Sequence, residues 1–345
     1  MPNSTRGGGC AKSDSRRSQS SLMTRGGRGG PLRSWGVAPM GDAAVREQGR
    51  PVVVCGCGYS GRAIAEHWPG PVWGTTRSEE RAADLESAGI RAVQAAFAAG
   101  EPLPTLPESV AGGAAVLTMG PDRSPDVRDP HAALAEALDW LIRQGITDVV
   151  YLSSTSVYGR SRGGEVTAAT PVNPEDEMGL RRVEAETLVR DRLQGRSRLS
   201  TLRLPGIYGP GRTIRQRLEA GRYRLVEGGT MFSNRIFVDD IATAVLRLLD
   251  EDVRGGIWIA CDDEPFQVRD MVRFACDHLG CPMPPEVPLS SVPERIRPFW
   301  QGNRRCNADR LKALGWAPRW PSYREGLPEA WRREDEEQPP AEGER

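Results

Sequence analysis

The stretch Val52-Val53-Val54-Cys55-Gly56-Cys57-Gly58-Tyr59-Ser60-Gly61-Arg62 is an apolar run, three glycines spaced GxGxxG and the start of a helical pattern. Each glycine answers a separate backbone demand. Gly56 permits a tight turn, Gly58 lets the backbone approach a pyrophosphate, and Gly61 lets helix and strand pack closely. The helix that follows, with Tyr59, Ser60 and Arg62 in its first turn, offers free N–H groups and the positive end of its dipole to phosphates. A lone GxGxxG is a weak signal. Here it follows a strand and precedes a helix, which is the context that gives it meaning.

The pattern continues outward. Apolar, β-branched runs lie at Pro51–Cys55, Val72–Thr75, Ala114–Met119, Asp148–Ser153 and Leu199–Leu204. Helical stretches lie between them at Arg62–Trp68, Glu79–Ala88, His131–Arg143 and Leu180–Leu193. Alternation of this kind predicts an α/β fold, a doubly wound parallel sheet of Rossmann-like type. Near-continuous apolar runs are what strands buried on both faces require. Past residue 205 the chain is less regular. It predicts a helix at Ile241–Leu249, capped by Asp239 or Asp240, a strand at Gly256–Ala260 and a helix at Val268–Leu279. We read residues 51–331 as the folded part, with a smaller, discontinuous substrate lobe from about residue 205 to 331, and 332–345 as a frayed charged tail.

The first fifty residues differ. They are rich in Gly and Ser, with nine basic residues against three acidic ones. Flexible coil is the expectation; a start at Met40 is an alternative and a transit peptide a third. Across all 345 residues, 46 basic residues balance 46 acidic ones. Neutrality argues against a nucleic-acid binder relying on bulk positive charge. No apolar run reaches membrane-spanning length. Seven scattered cysteines predict a reducing, cytoplasmic setting without disulfides, and neither cysteines nor histidines show metal-ligand spacing. Only Lys12 and Lys312 are lysine among the basic residues.

The second strand runs out into Thr76-Arg77-Ser78. A site for NAD usually carries an acidic residue here for the ribose 2′-hydroxyl. Instead Arg77 can pair with a 2′-phosphate, helped by the hydroxyls of Thr76 and Ser78 and by the charge of Arg62. NADP is therefore expected over NAD. By topology, Thr118-Met119-Gly120, Ser153-Ser154 and Pro205-Gly206-Ile207 lie along the ribose and nicotinamide.

Three further segments carry a resemblance. They are Tyr151-Leu152-Ser153-Ser154-Thr155-Ser156-Val157-Tyr158-Gly159, Leu202-Arg203-Leu204-Pro205-Gly206-Ile207-Tyr208-Gly209-Pro210-Gly211-Arg212 and Asn234-Arg235-Ile236-Phe237-Val238-Asp239-Asp240. With the glycine-rich loop they resemble the extended short-chain dehydrogenase/reductases, the NAD-dependent epimerase/dehydratase family, over about residues 51–330. The resemblance implies that Ser154 hydrogen-bonds a substrate oxygen. It also implies a Tyr-x-x-x-Lys pair on the next helix. Aligning Glu186 with the family's acidic residue puts Met178 at the tyrosine position and Arg182 at the lysine position. Methionine cannot transfer a proton, and Arg182 keeps its charge without titrating near neutrality. The sequence therefore resembles the atypical members. Thr155 and Ser156 stand where dehydratases carry acids, which argues against sugar-nucleotide dehydration. Tyr158 and Tyr208 are the alternative phenols. Thr155, Met178, Arg212 and Arg235 are candidate substrate contacts, the arginines for an anionic group. The implied protein is an NADP-dependent oxidoreductase or epimerase-like enzyme on a small polar substrate, sugar-derived molecules included. The alternative is a non-catalytic NADP-binding sensor. A homodimer is implied by analogy alone.

Overall fold

The valines that open the patterned region have no solvent-facing side, because they run through the middle of a sheet. β1 (Val52–Cys55) is fully buried. It pairs with β2 (Val72–Thr76) on one side and β4 (Ala114–Leu117) on the other, so that Val53 lies between Trp73 and Ala115. The computed structural model describes residues 49–124, 127–294 and 297–337. The remaining sheet strands are β3 (Arg91–Gln94), β5 (Asp148–Ser154), β6 (Arg198–Leu204) and β7 (Gly256–Ile259). All seven are parallel, in the order β7-β6-β5-β4-β1-β2-β3. The order reverses at the β1/β4 junction, where a crevice opens beyond the strands' carboxyl ends.

Alternation along β1 divides the core in two. Val52 and Val54 meet α1 (Tyr59–His67), α2 (Glu79–Ser87) and α5 (Val238–Leu249) through Ile64, Leu85 and Ile241. Val53 and Cys55 meet α3 (Ala132–Arg143) and α4 (Glu177–Leu193) through Leu138 and Val189. Burying each such side chain contributes about 1.5–3 kcal/mol. A third cluster, built on Phe237, Leu225, Met271 and Tyr323, joins α6 (Val268–Leu279) and α7 (Tyr323–Glu337). A short parallel pair, 206–208 with 235–237, joins it to the first cluster, to which a second pair, 165–166 with 305–306, belongs. No described helix is long and apolar enough to cross a membrane.

The stretch after residue 205 is interrupted where α5 and β7 return to the layers of the main sheet. Other expectations are corrected. Asp239 and Asp240 do not cap α5; they lie inside its first turn. Asp240 accepts the N–H groups of Arg319 (2.7 Å) and Trp320 (3.1 Å), and Asp239 pairs with Arg333 at 2.8 Å. The charged tail is helical to Glu337, held by that buried pair. β3 escaped the sequence because Arg91 and Gln94 break its apolar run at a sheet edge. The leader up to residue 48, with Met40, lies outside the described residues, whereas Arg50 donates to the Leu249 carbonyl at 3.2 Å.

A buried ion pair ties the carboxyl ends of β5 and β6 to α4. Arg203 on β6 donates to both oxygens of Glu186 at 3.0 and 2.7 Å. Ser153 donates to the same carboxylate at 2.5 Å, and Arg203 also donates to the Tyr158 hydroxyl at 2.9 Å. Arg203→Met should strand the Glu186 carboxylate and cost about 3 kcal/mol, read as a lower urea midpoint at unchanged slope. On α7, hydrogen bonds from Arg332 and Arg333 hold the Glu329 carboxyl down at about 2. A depressed carboxylate stabilises fully above its unfolded value and loses that contribution as pH falls toward the folded one. The stability difference between the wild type and Glu329→Gln should therefore narrow steadily as pH falls from the ordinary carboxylate range toward about 2.

Candidate active site

The glycine-rich turn meets the two backbone demands set for Gly56 and Gly61 and leaves open space at Gly58. Gly56 sits at φ +86°, a backbone region that L side chains avoid, and a Cβ there would meet the Thr118 hydroxyl at 2.8 Å. A Cβ on Gly61 would meet the Gly56 carbonyl at 2.8 Å and Val54 at 3.0 Å. At Gly58 the nearest atom lies 3.9 Å away, so this glycine leaves room in the cleft rather than avoiding a clash. The Gly56 N–H donates to the Thr75 hydroxyl at 2.9 Å, which fixes the turn. The N-cap of α1 is Gly58, which has no side chain to cap it. These features fit the diphosphate of a dinucleotide: open backbone at Gly58, an uncapped helix start and no acidic group beside it.

A cleft of about 1120 Å³ runs from this turn along the strand ends, large enough for a dinucleotide and a small substrate together. Tyr59, Ser60, Thr76 and Arg77 line one end, with Arg81, Phe97 and Arg123. Met119, Gly120, Ser153 and Ser154 line the middle. Thr155, Met178, Arg182, Pro205, Gly206 and Ile207 complete it, and Arg212 and Arg235 stand on the lobe side. A shallower hollow of about 330 Å³ between α3 and α4 is edged by Asp139, Arg192 and their neighbours, away from the strand ends.

Two expected cofactor contacts are corrected. Arg62 is buried and turned along α1 onto Glu66 at 2.7 Å, so it does not add charge to the cleft. The Ser78 hydroxyl accepts from the Arg81 N–H at 3.3 Å and caps α2, outside the cleft. Gly61 also lies behind the loop wall, where it serves packing.

At the strand ends, Ser154 lines the cleft and its hydroxyl accepts the Ser156 N–H at 3.1 Å. Ser153 is spent on Glu186, and Thr155 is buried against the Cys306 thiol. Met178 and Arg182 lie one helical turn apart on α4, and both reach the cleft. The Arg182 guanidinium covers Gly120 so closely that a Cβ there would meet it at 2.6 Å, and it donates to the Tyr151 hydroxyl at 3.3 Å. Glu186 follows one turn on, at the root of the Arg203 network.

Tyr158 is corrected as a catalytic candidate. It is buried outside the cleft, donating to the Thr167 carbonyl at 2.8 Å while Arg203 donates to it. Tyr208 borders the cleft, but its hydroxyl donates to the Ser322 carbonyl at 3.3 Å, and burial pushes its ionisation upward. Asp176 caps α4 through the Gly179 N–H at 2.8 Å.

The charge distribution is uneven. Eight arginines line the cleft (77, 81, 123, 182, 212, 217, 235 and 304) against two carboxylates, Asp122 and Asp176. Among the described residues none of the eight forms an ion pair, whereas arginines elsewhere, such as Arg198, Arg215 and Arg247, are paired. Arg235 is the most enclosed. Burial lowers its pKa, and its guanidinium lies over Phe299 at 5.8 Å and beside Gly206, where a Cβ would meet it at 2.7 Å. Among the described residues the Asp262 carboxyl accepts one hydrogen bond, from the Arg235 backbone N–H, and burial pushes that carboxyl well up. Tyr223 and Trp300 complete the wall, ring to ring at 6.5 Å. Sequence reading missed Arg81, Arg123, Arg217, Tyr223, Trp300 and Arg304, which lie in no recognisable motif.

Parallel sheet, switch-point cleft and glycine turn define a Rossmann-like α/β protein. Residues 52–261 match the NAD dependent epimerase/dehydratase family, and the chain belongs to it. Over 137 residues it is 31% identical to a 3-diazoavenalumate denitrifying reductase of a Streptomyces species, a match spanning 36% of this chain and 45% of that protein. Protein YeeZ of Escherichia coli is 28% identical over 219 residues, 61% of this chain and 77% of YeeZ. A solved structure of a functionally unknown conserved protein from Silicibacter pomeroyi superposes with a TM-score of 0.70 at 29% identity, covering 82% of this chain and 99% of that one.

Gly61→Ala should lower stability, because the Gly56 carbonyl and Val54 must give way. Gly58→Ala should leave the unfolding midpoint near wild type. Thermal melts of the two variants without ligand check the contrast.

Proposed function

We propose that the protein is an NADP-dependent oxidoreductase or epimerase-like enzyme acting on a small, anionic substrate. The observation that carries this reading is the set of unpaired arginines along a cleft that begins at the glycine turn. Such a lining suits a ligand with negative charge at several places. Gly56, Gly58 and the start of α1 would hold the diphosphate. Arg77, joined by Arg81 and Arg123, would hold a 2′-phosphate, since the exit of β2 offers no carboxylate to a 2′-hydroxyl. Met119, Gly120, Pro205, Gly206 and Ile207 would flank the nicotinamide ribose. When bound, the dinucleotide supplies or accepts a hydride.

The chain's own groups do the rest. Ser154 donates to the substrate oxygen whose bond order changes. Arg182 presents a fixed positive charge beside it, where developing negative charge is stabilised in a partly water-excluded site. Arg235 receives the substrate's anion, and the rings of Tyr223, Phe299 and Trp300 favour a ring-bearing body, a sugar acid or sugar phosphate among them. Met178 has no exchangeable proton, so the proton comes from water held against Ser154. A second reading, an NADP-binding sensor without turnover, is favoured by that same Met178.

Titration calorimetry should find NADPH binding at least tenfold tighter than NADH, with Arg77→Ala closing the gap. Equal affinities, unchanged in the variant, would overturn the 2′-phosphate role. With NADPH and a panel of anionic carbonyl substrates, turnover lost in Ser154→Ala supports the enzyme. Its pH–rate profile should lack the limb of a lysine-lowered phenol near neutrality. Tight NADPH binding with no turnover across the panel supports the sensor.

A further inference from the structure

α6 ends in a cap that brings two cysteines together. Gly280 takes the left-handed conformation at φ +66°, and its N–H bonds the Cys276 carbonyl. The Cys281 N–H donates to that carbonyl as well, at 3.1 Å. In this six-residue termination the fourth-last helical side chain and the first one beyond the glycine pack on each other. Most helices place apolar groups there. Here both are thiols, and the Cys276 thiol reaches the Pro282 carbonyl, next to Cys281, at 3.5 Å. The backbone hydrogen bond keeps the two chain segments adjacent, as a disulfide requires. Cys281 is partly exposed; the other described cysteines are all buried.

We propose that Cys276 and Cys281 are an oxidative modification site, a dithiol that a peroxide-class two-electron oxidant converts into an intrachain disulfide across the end of α6. Cys281 is partly exposed and Cys276 is buried, so the oxidant meets Cys281 first. Its thiolate attacks one oxygen of hydrogen peroxide. The O–O bond breaks, the departing hydroxide takes a proton and leaves as water, and the sulfur becomes a sulfenic acid. The Cys276 sulfur then attacks the Cys281 sulfur. An S–S bond forms, the S–O bond breaks, and the hydroxyl leaves as water with the Cys276 proton. Two thiols and one peroxide yield one disulfide and two waters. The enclosed loop is short, so the bond adds little chain-entropy stabilisation, which suits a reversible link more than a permanent staple. α6 carries Met271 into the cleft and Phe274 onto Tyr323 at 5.6 Å, so the link stiffens a helix bordering the cleft. The inference does not depend on the proposed reaction.

The test uses the full chain, treated with hydrogen peroxide, alkylated and digested with trypsin. The peptide from Phe274 to Arg295 holds both cysteines and no others. It should appear unalkylated and about 2 Da lighter, and return to a doubly alkylated form if dithiothreitol precedes alkylation. Cleavage before Asp277 should leave two fragments that separate only on reduction. In Cys281→Ser, Cys276 should stay a thiol open to alkylation after unfolding. A wild-type peptide still doubly alkylated, a sulfinic Cys281, or Cys281 joined to a different cysteine would each overturn the proposal.

Discussion

The Glu186–Arg203 pair holds the reacting end of the cleft in place. A carboxylate and a guanidinium buried together must satisfy each other's hydrogen bonds, since neither has ready access to water. They do so through two bonds between them, with Ser153 and Tyr158 taking the remaining valences. That demand fixes the height of α4 against β5 and β6. Met178, Arg182 and Glu186 follow one another at single-turn intervals on α4, so seating the third seats the other two. The separation of Ser154 from Arg182 is thus set by a pair that touches no ligand.

How much of this was legible in the sequence depended on whether a residue solves a local problem or a distant one. The glycine turn was fully legible, because Gly56 and Gly61 answer backbone geometry within a few residues of themselves. The order of strands and helices was legible through apolar runs buried on both faces. β3 was not, since an edge strand with Arg91 and Gln94 carries no such run. Arg62 and Ser78 sat at plausible positions but found nearer partners in Glu66 and the Arg81 amide. Tyr158 is four residues past Ser154, yet a short 3₁₀ turn carries it behind the strand ends onto Arg203. Spacing along the chain does not encode which side of the sheet such a turn faces.

The substrate side was least legible. An arginine-rich chain hides a functional arginine among structural ones, and only the pairing pattern separates them. Arg333, expected to lie in or near a frayed end, is instead locked to Asp239. Arg235, in the same motif as Asp239, reaches the cleft without a carboxylate. Two guanidinium groups indistinguishable in sequence therefore differ by whether the fold brings an acid within ion-pair distance of them.

The unpaired arginines have a kinetic consequence. A neutral molecule with one strongly positive hollow has little long-range pull on anions, yet a strong field within a Debye length of the cleft mouth, about 8 Å at physiological ionic strength. Capture should accelerate only over the last stretch of an encounter, and salt should slow arrival more than it speeds escape. Because guanidinium groups hold their charge where lysines begin to lose theirs, that guidance should persist into alkaline solution.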